Sequence, residues 1–423
     1  MKTKLFSLVL CLLCLSCTND DSKNPQEQDP VEQIARPIIS SLSKNLVIEG
    51  ESLTIEGENF IDDGFDTQVM INSMTFDVKP ISNTKITIDI TDSMGIENSS
   101  IRVKVSEQLS EAKYFFIVPK GWYKIETDLD IRKAFVFDDS NTITFLHDRE
   151  LSPLSYNGRV KKMSGDHSGY KVILTNLGGG NIYDLEMFNE NIGVAVNPVT
   201  GFFTTDGFET TKSFGDFWEE GEMPVETEIK YVDANSSLIV NCCTAHIYTS
   251  DRGETYSSFN VAEEVFSSDS FRTRAYGIGS DNYFYEIGFD SSSSPYAYYV
   301  IKSANGYENW ELVSYSVEGQ YSGKTYFLDY DLIFNISPND ELRISTDLTN
   351  SWSIVKENVQ NFFIKDRSNW FIISDNNLYA TNDSGANWNL ELELPIDSQL
   401  NHMFFTSNKT ILSGNKMLFI KHQ

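Results

Sequence analysis

The side chains able to do chemistry are few in this chain and widely spaced. Its five histidines, His147, His167, His246, His402 and His422, show no metal-ligand spacing. No Gly-x-Ser-x-Gly elbow, His-Glu-x-x-His helix or phosphate-binding loop occurs. Gly178-Gly179-Gly180 precedes a strand-like run rather than a helix and reads as a turn. Glycosidic hydrolysis needs two carboxylates flanking the scissile bond. Asp148, Arg149, Arg272 and Arg274 could line a pocket, yet nothing marks them as a catalytic set. Asp62/Asp63 and Asp128/Asp130 could meet calcium, but neither pair has a full calcium-loop spacing. No catalytic residue, metal ligand or cofactor is therefore assigned.

Aromatic residues in loop-like segments are the better candidates. They are Trp218 in Asp216-Phe217-Trp218-Glu219-Glu220, Tyr296 and Tyr298 after the serine run 291–294, and Tyr321 in Gln320-Tyr321-Ser322-Gly323. An exposed ring beside polar groups can stack on the C–H face of a sugar or anchor a protein. The competing reading is that each ring packs over its own loop. Cys242 and Cys243 are adjacent and close to His246, which joins the aromatic residues as a ligand-binding candidate. In an oxidising compartment they would form a strained vicinal disulfide or remain as two thiols.

The elements that must position these residues are announced by a repeated turn. Thr381-Asn382-Asp383-Ser384-Gly385-Ala386-Asn387-Trp388 is its clearest copy, and Thr249-Ser250-Asp251-Arg252-Gly253-Glu254-Thr255-Tyr256 follows it closely. Looser copies centre on Asp206, Asn305 and Asp347, and the weakest, Ser155-Tyr156-Asn157-Gly158, on Asn157. Their starts at 155, 204, 249, 303, 345 and 381 are separated by 49, 45, 54, 42 and 36 residues. Locally, Asp or Asn holds a turn through its own backbone, Gly takes positive φ and the aromatic covers the turn. Short strand patterns run between copies, such as Trp370-Phe371-Ile372-Ile373 and Leu378-Tyr379-Ala380-Thr381. A turn recurring at this period in a β-rich chain predicts a circular repeat.

The pattern resembles the Asp-box (BNR-like) repeat of sialidases, sortilin-type receptors and photosystem assembly propellers, over roughly residues 121–423. That resemblance implies that each box joins the third and outermost strands of a four-stranded blade, so that the Asp boxes are structural. It also places ligands on the opposite rim, where the turns between second and third strands and the links between blades lie. Thr410-Ile411-Leu412 and Met417-Leu418-Phe419-Ile420 form a last copy that ends at Gln423, where its box should begin. Gly121-Trp122-Tyr123-Lys124-Ile125 looks like a post-box strand without a box. Residues 122–126 are thus expected to supply the outer strand of the last blade, removing an exposed edge. Seven blades are expected, with six or eight the neighbouring alternatives.

Lys2 and Lys4 precede an apolar run, Leu5 to Leu15, that is too short to span a bilayer and reads as a signal peptide, residues 1–16. Leu15-Ser16-Cys17 resembles a bacterial lipobox, which implies lipidation at Cys17, and Thr18-Asn19-Asp20-Asp21-Ser22-Lys23 resembles a Bacteroidetes-type surface-export signal. Residues 17–36 then form a lipidated, polar tether. The net charge of −28 argues against nucleic acid or anionic lipid as a partner. Removing two lysines with the signal would take it to about −30.

Residues 37–118 alternate apolar and polar positions in short strands, among them Leu53-Thr54-Ile55-Glu56-Gly57-Glu58-Asn59-Phe60 and Ile101-Arg102-Val103-Lys104-Val105. With Pro37 opening and Tyr114-Phe115-Phe116-Ile117 closing it, the segment resembles the IPT/TIG family of immunoglobulin-like modules, which implies a spacer role. The expectation is an all-β chain: a small immunoglobulin-like sandwich, then a propeller over 119–423. It would sit lipid-anchored on the outer membrane and bind an extracellular polysaccharide or protein without catalysis. A glycoside hydrolase on the same face and an envelope adhesion or scaffold protein are the alternatives. Replacing Cys17 by Ala should move the chain from the membrane to the soluble fraction; unchanged membrane retention would refute lipidation there.

Overall fold

The computed structural model describes residues 35–422 apart from 62–65, 95–97, 138–141, 149–157, 164–169, 175–181, 198, 215–226, 232, 242–245, 260, 267–270, 291–296, 307, 317–322 and 397. The chain is all-β, with one six-residue helix, Val261–Phe266, among the described residues. It forms an immunoglobulin-like sandwich followed by a β-propeller.

In the sandwich, strands Ile38–Leu42, Ser52–Glu58 and Lys85–Asp89 make one sheet. The facing sheet contains Leu46–Ile48, Lys113–Val118, Asn98–Val105, Thr67–Ile71 and Met74–Val78. Burial alternates along Ser52–Glu58 and Asn98–Val105, as a half-buried strand requires. Leu53, Ile55, Val69, Ile71, Ile101, Val103 and Phe115 meet in one core.

Beyond it, five four-stranded antiparallel sheets follow in chain order, running over Asp184–Phe214, Thr227–Phe259, Phe271–Ser316, Thr325–Lys356 and Asn361–Glu393. In each, the strands are hydrogen-bonded in sequence order, inner to outer. Second strands such as Gly193–Val196 and Leu332–Ile336 are buried along their whole length, whereas the outer Ser353–Lys356 and Asn389–Glu393 face solvent in part. Side chains of neighbouring sheets interlock. Leu332 and Phe334 pack with Phe362 and Trp370, and Phe363 and Leu378 pack with Leu400 and Leu412. Face-to-face packing of apolar sheets excludes water from both surfaces of each.

A six-stranded sheet joins the two ends. Gly121–Val136 and Lys409–His422 are long enough to serve twice. The first half of the former pairs antiparallel with the end of the latter, from Gly121 with His422 to Glu126 with Met417. Its second half pairs with Ile143–Asp148, while the start of Lys409–His422 pairs with Leu400–Phe405. Residues 122–126 thus complete the last sheet, as the unmatched Trp122 segment predicted.

The sandwich is not joined by a free tether at this point. Its last strand ends at Val118 and the closing strand starts at Gly121. Leu46 and Val118, with Ile48 and Phe116, share a core with Tyr123, Ile131, Leu418 and Ile420. Val118 is fully buried. Val118→Asp should therefore cost at least about 3 kcal/mol, by leaving an unpaired charge in an apolar site. Thermal unfolding of the whole chain would measure this, and an unchanged midpoint would contradict the shared core.

Candidate functional site

The repeated turns lie on one rim, and their hydrogen bonds show why the motif recurs. In each, the hydroxyl of the leading Ser or Thr donates to the Asp or Asn two residues on: Thr204 to Asp206, Thr249 to Asp251, Ser303 to Asn305, Ser345 to Asp347 and Thr381 to Asp383, at 2.7–3.0 Å. That hydroxyl in turn accepts a backbone N–H, as from Gly253 at 2.8 Å and Gly385 at 3.0 Å. A residue four positions after each Asp donates twice, through backbone N–H and side chain: Thr210, Thr255, Ser351 and Asn387. This second donor escaped the sequence reading because Thr, Ser and Asn share no spelling. Gly385 sits at φ +87°, and a Cβ there would meet Val355 and Trp370. The copy that lost its Gly keeps the conformation, with Leu348 and Thr349 at φ 55° and 71°. The closing aromatic does not always cover the turn: Trp310 is buried, but Tyr256 is exposed.

Asn157 lies outside the described residues.

Two expected site residues are corrected. Tyr298 is buried, pairing in register with Phe289 and packing beside Trp352. His246 is buried too, its Nε2 3.0 Å from Oε2 of the fully buried Glu286 in the next sheet. Both lie in the third strands of their sheets, His246–Thr249 and Ala297–Ser303, and packing rather than solvent claims them. Trp218, Tyr296, Tyr321, Cys242 and Cys243 lie outside the described residues, as do Cys17, Asp62 and Asp63. Arg272 and Arg274 belong to a different sheet from Asp148, and Arg274 stacks on Phe289, 4.7 Å from its ring centre. Among the described residues, no three His, Cys, Asp or Glu side chains converge as a metal site.

Where the inner strands begin, on the rim away from the repeated turns, a cavity of about 410 Å³ opens between the closure sheet and its neighbour. Asp130, Arg132 and Lys133 of the long first strand line it, with Tyr183 and Asp184 from the next sheet and Asn401 and His402 from the last inner strand. Arg132 bridges the gap by donating to the carbonyls of Ile182 at 2.7 Å and Tyr183 at 2.9 Å. Lys133 Nζ lies 2.8 Å from Asp184 and 3.3 Å from Glu186, and Asp184 also accepts the Ile229 N–H at 3.1 Å.

Polar groups continue around the axis. Lys230 Nζ lies over the rings of Tyr326 at 5.7 Å and Tyr276 at 5.9 Å. Lys324 donates to Asn361 Oδ1 at 2.9 Å and the Phe362 carbonyl at 2.7 Å. Burial raises the Glu186 carboxyl above its usual range against the pull of Lys133 and Lys230. His402 is held well below the ordinary imidazole value, by burial first and then by the charges of Lys133, Lys324 and Lys230. It is neutral at pH 7. Sequence reasoning missed this site because its residues come in small groups from strands far apart along the chain.

Residues 37–117 match the IPT/TIG domain family. No curated protein matched the sequence. Among solved structures, YCF48 bound to D1 peptide superposes with a TM-score of 0.52 at 15% identity, covering 72% of this chain and 96% of that one. YCF48 from Cyanidioschyzon merolae gives 0.50 at 12%, covering 71% and 98%. The extracellular domain of the putative one component system BT4673 from B. thetaiotaomicron gives 0.50 at 9%, covering 90% of this chain and 53% of that one. These likenesses show a β-propeller-type fold.

The turn carboxylates lead to a pH prediction. Hydrogen bonds from the Thr255, Ser351 and Asn387 side chains hold Asp251, Asp347 and Asp383 below the usual carboxylate range, Asp383 at about 2. At Asp206 burial pushes upward but is outweighed by bonds from Thr210 and Thr204. A folded-state value below the unfolded one, near ~3.9 for Asp, adds stability above the unfolded value that is lost as pH falls through the folded one. Stability should therefore drop between about pH 4 and pH 2. Asp383→Asn, which copies the side chain already present at Asn305, should flatten that slope in denaturant titrations. An identical slope in the variant would sink the assignment.

Proposed function

We propose that this is a surface-anchored lipoprotein whose propeller binds an extracellular polysaccharide or protein, without catalysis, on the face opposite the repeated turns. The repeated turns are read as Asp boxes and the propeller as seven-bladed. Gly121–Glu126 supplies the outer strand of the seventh blade, and Asp130–Val136 the inner strand of the first. Cys17 is the lipid-bearing residue in this reading, and the outer membrane its location.

The observation that carries the binding role is the polar cavity at the mouth of the axis. It places donors, acceptors and the Tyr183 side chain together on the rim away from the turns. A cleft combining an aromatic with converging polar groups suits ligand recognition. The segments of Trp218, Tyr296 and Tyr321 would border the same face. That YCF48 is a propeller holding a peptide supports a protein ligand as one form of the proposal.

Glycoside hydrolysis is the rival because Asp130 and Asp184 both line the cavity. Against it, Asp184 is tied to Lys133 and to the Ile229 amide, which leaves it poorly placed to exchange a proton with substrate. A glycan-array screen paired with reducing-sugar release separates the readings. Binding without release is expected. Release of reducing ends would overturn the non-catalytic role, and silence in both assays would shift the ligand to an envelope protein.

A further inference from the structure

Resting on the binding role just described, we infer that the axial cavity is a subsite for an uncharged sugar ring, held through its hydroxyl groups by Asp130 and Asn401. The charges on the cavity wall answer one another. Arg132 and Lys133 stand against Asp130 and Asp184, two of each sign. Both basic side chains are also spent on the protein itself, Arg132 on the carbonyls of Ile182 and Tyr183, and Lys133 on Asp184 and Glu186. Asp184 is engaged in turn by Lys133 and by the Ile229 amide. A charged ligand would lose its hydration there without meeting a net charge of opposite sign.

What the wall leaves open is a pair of acceptors. Oδ1 of Asp130 is buried and receives no hydrogen bond. Asn401 donates through its Nδ2 to the carbonyl of Ile131 at 3.0 Å. That bond holds the Asn401 side chain beside the residue that follows Asp130, and leaves its Oδ1 as an acceptor on the same wall. A buried acceptor without a donor is costly, and a ligand that brings O–H groups removes that cost. Adjacent hydroxyls of a pyranose supply two such donors and no charge. A peptide backbone brings as many carbonyls as amides, and the groups that could answer those carbonyls, Arg132 and Lys133, are already spent. Tyr183 and Leu146 complete the lining with an aromatic ring and an apolar side chain, on which the C–H face of a sugar can rest.

The test is calorimetric titration of the full chain with neutral hexasaccharides of glucan, xylan, mannan and galactan type, beside oligogalacturonate and oligomeric glucosamine as charged probes. At least one neutral probe is expected to bind, with an affinity that stays the same between about 0.05 and 0.5 M salt. Asp130→Ala and Asn401→Ala should each weaken that binding about tenfold. Asp130→Ala should at the same time leave the unfolding midpoint unchanged or raise it, because it removes an acceptor that the free protein does not satisfy. A lowered midpoint would make Asp130 a structural residue and overturn its role here. Tighter, salt-sensitive binding of a charged probe would overturn the neutral subsite while the broader glycan-binding role stood, and so would neutral binding that both variants keep at full strength. Silence from every neutral probe also overturns the subsite; if an array then retains another glycan the broader role stands, and if it retains none both fall.

Discussion

The antiparallel pairing of Gly121–Glu126 with Met417–His422 is the contact on which the rest of the propeller depends. Without it the last sheet would present an open edge, and the first strand of the ring would have nothing to hold its start. The pairing spans nearly the whole propeller sequence, so it forms against a large loop-closure entropy, though one that grows only slowly with length. The sandwich helps to hold it. Leu46, Phe116 and Val118 lie against Tyr123, Leu418 and Ile420, so the closing strand is covered from a second side. The same long strand then runs on to carry Asp130, Arg132 and Lys133 into the axial cavity, opposite Asn401 and His402 of the last inner strand. Closure and candidate site are therefore built from one strand, and an open ring would have no such cavity.

The repeated turns do a different job. Each replaces part of a hairpin's backbone hydrogen bonding by a hydroxyl–carboxylate pair that satisfies several amide donors at once. That makes a tight connection to a partly exposed outer strand with little need for a hydrophobic core beneath it. It also explains the tolerance of the motif. Asn305 serves where others use Asp, and Thr349 takes the positive φ that Gly takes elsewhere. The acceptor oxygens of Asp206, Asp251, Asp347 and Asp383 are taken up by donors within the turn itself.

Much of the architecture was legible because it is written in local, repeated chemistry. The Trp122 segment lacking its own turn implied ring closure, and alternation along Ser52–Glu58 implied the sandwich. Where local spelling was weak, it misled. Tyr298 and His246 looked like loop residues, but strand register carried them inward.

The sequence by itself determined the β class and the strand that closes the ring, which follow from spacing within a few residues or from a repeat of such spacings. The rim that carries the turns was what the resemblance to a repeat family implied. Only the tertiary structure decided which side chains meet. Lys133, Asp184 and His402 are far apart along the chain, and each is unremarkable in its own strand. Their proximity comes from a ring geometry that brings every inner strand to one axis, and no local pattern encodes a contact made across that axis.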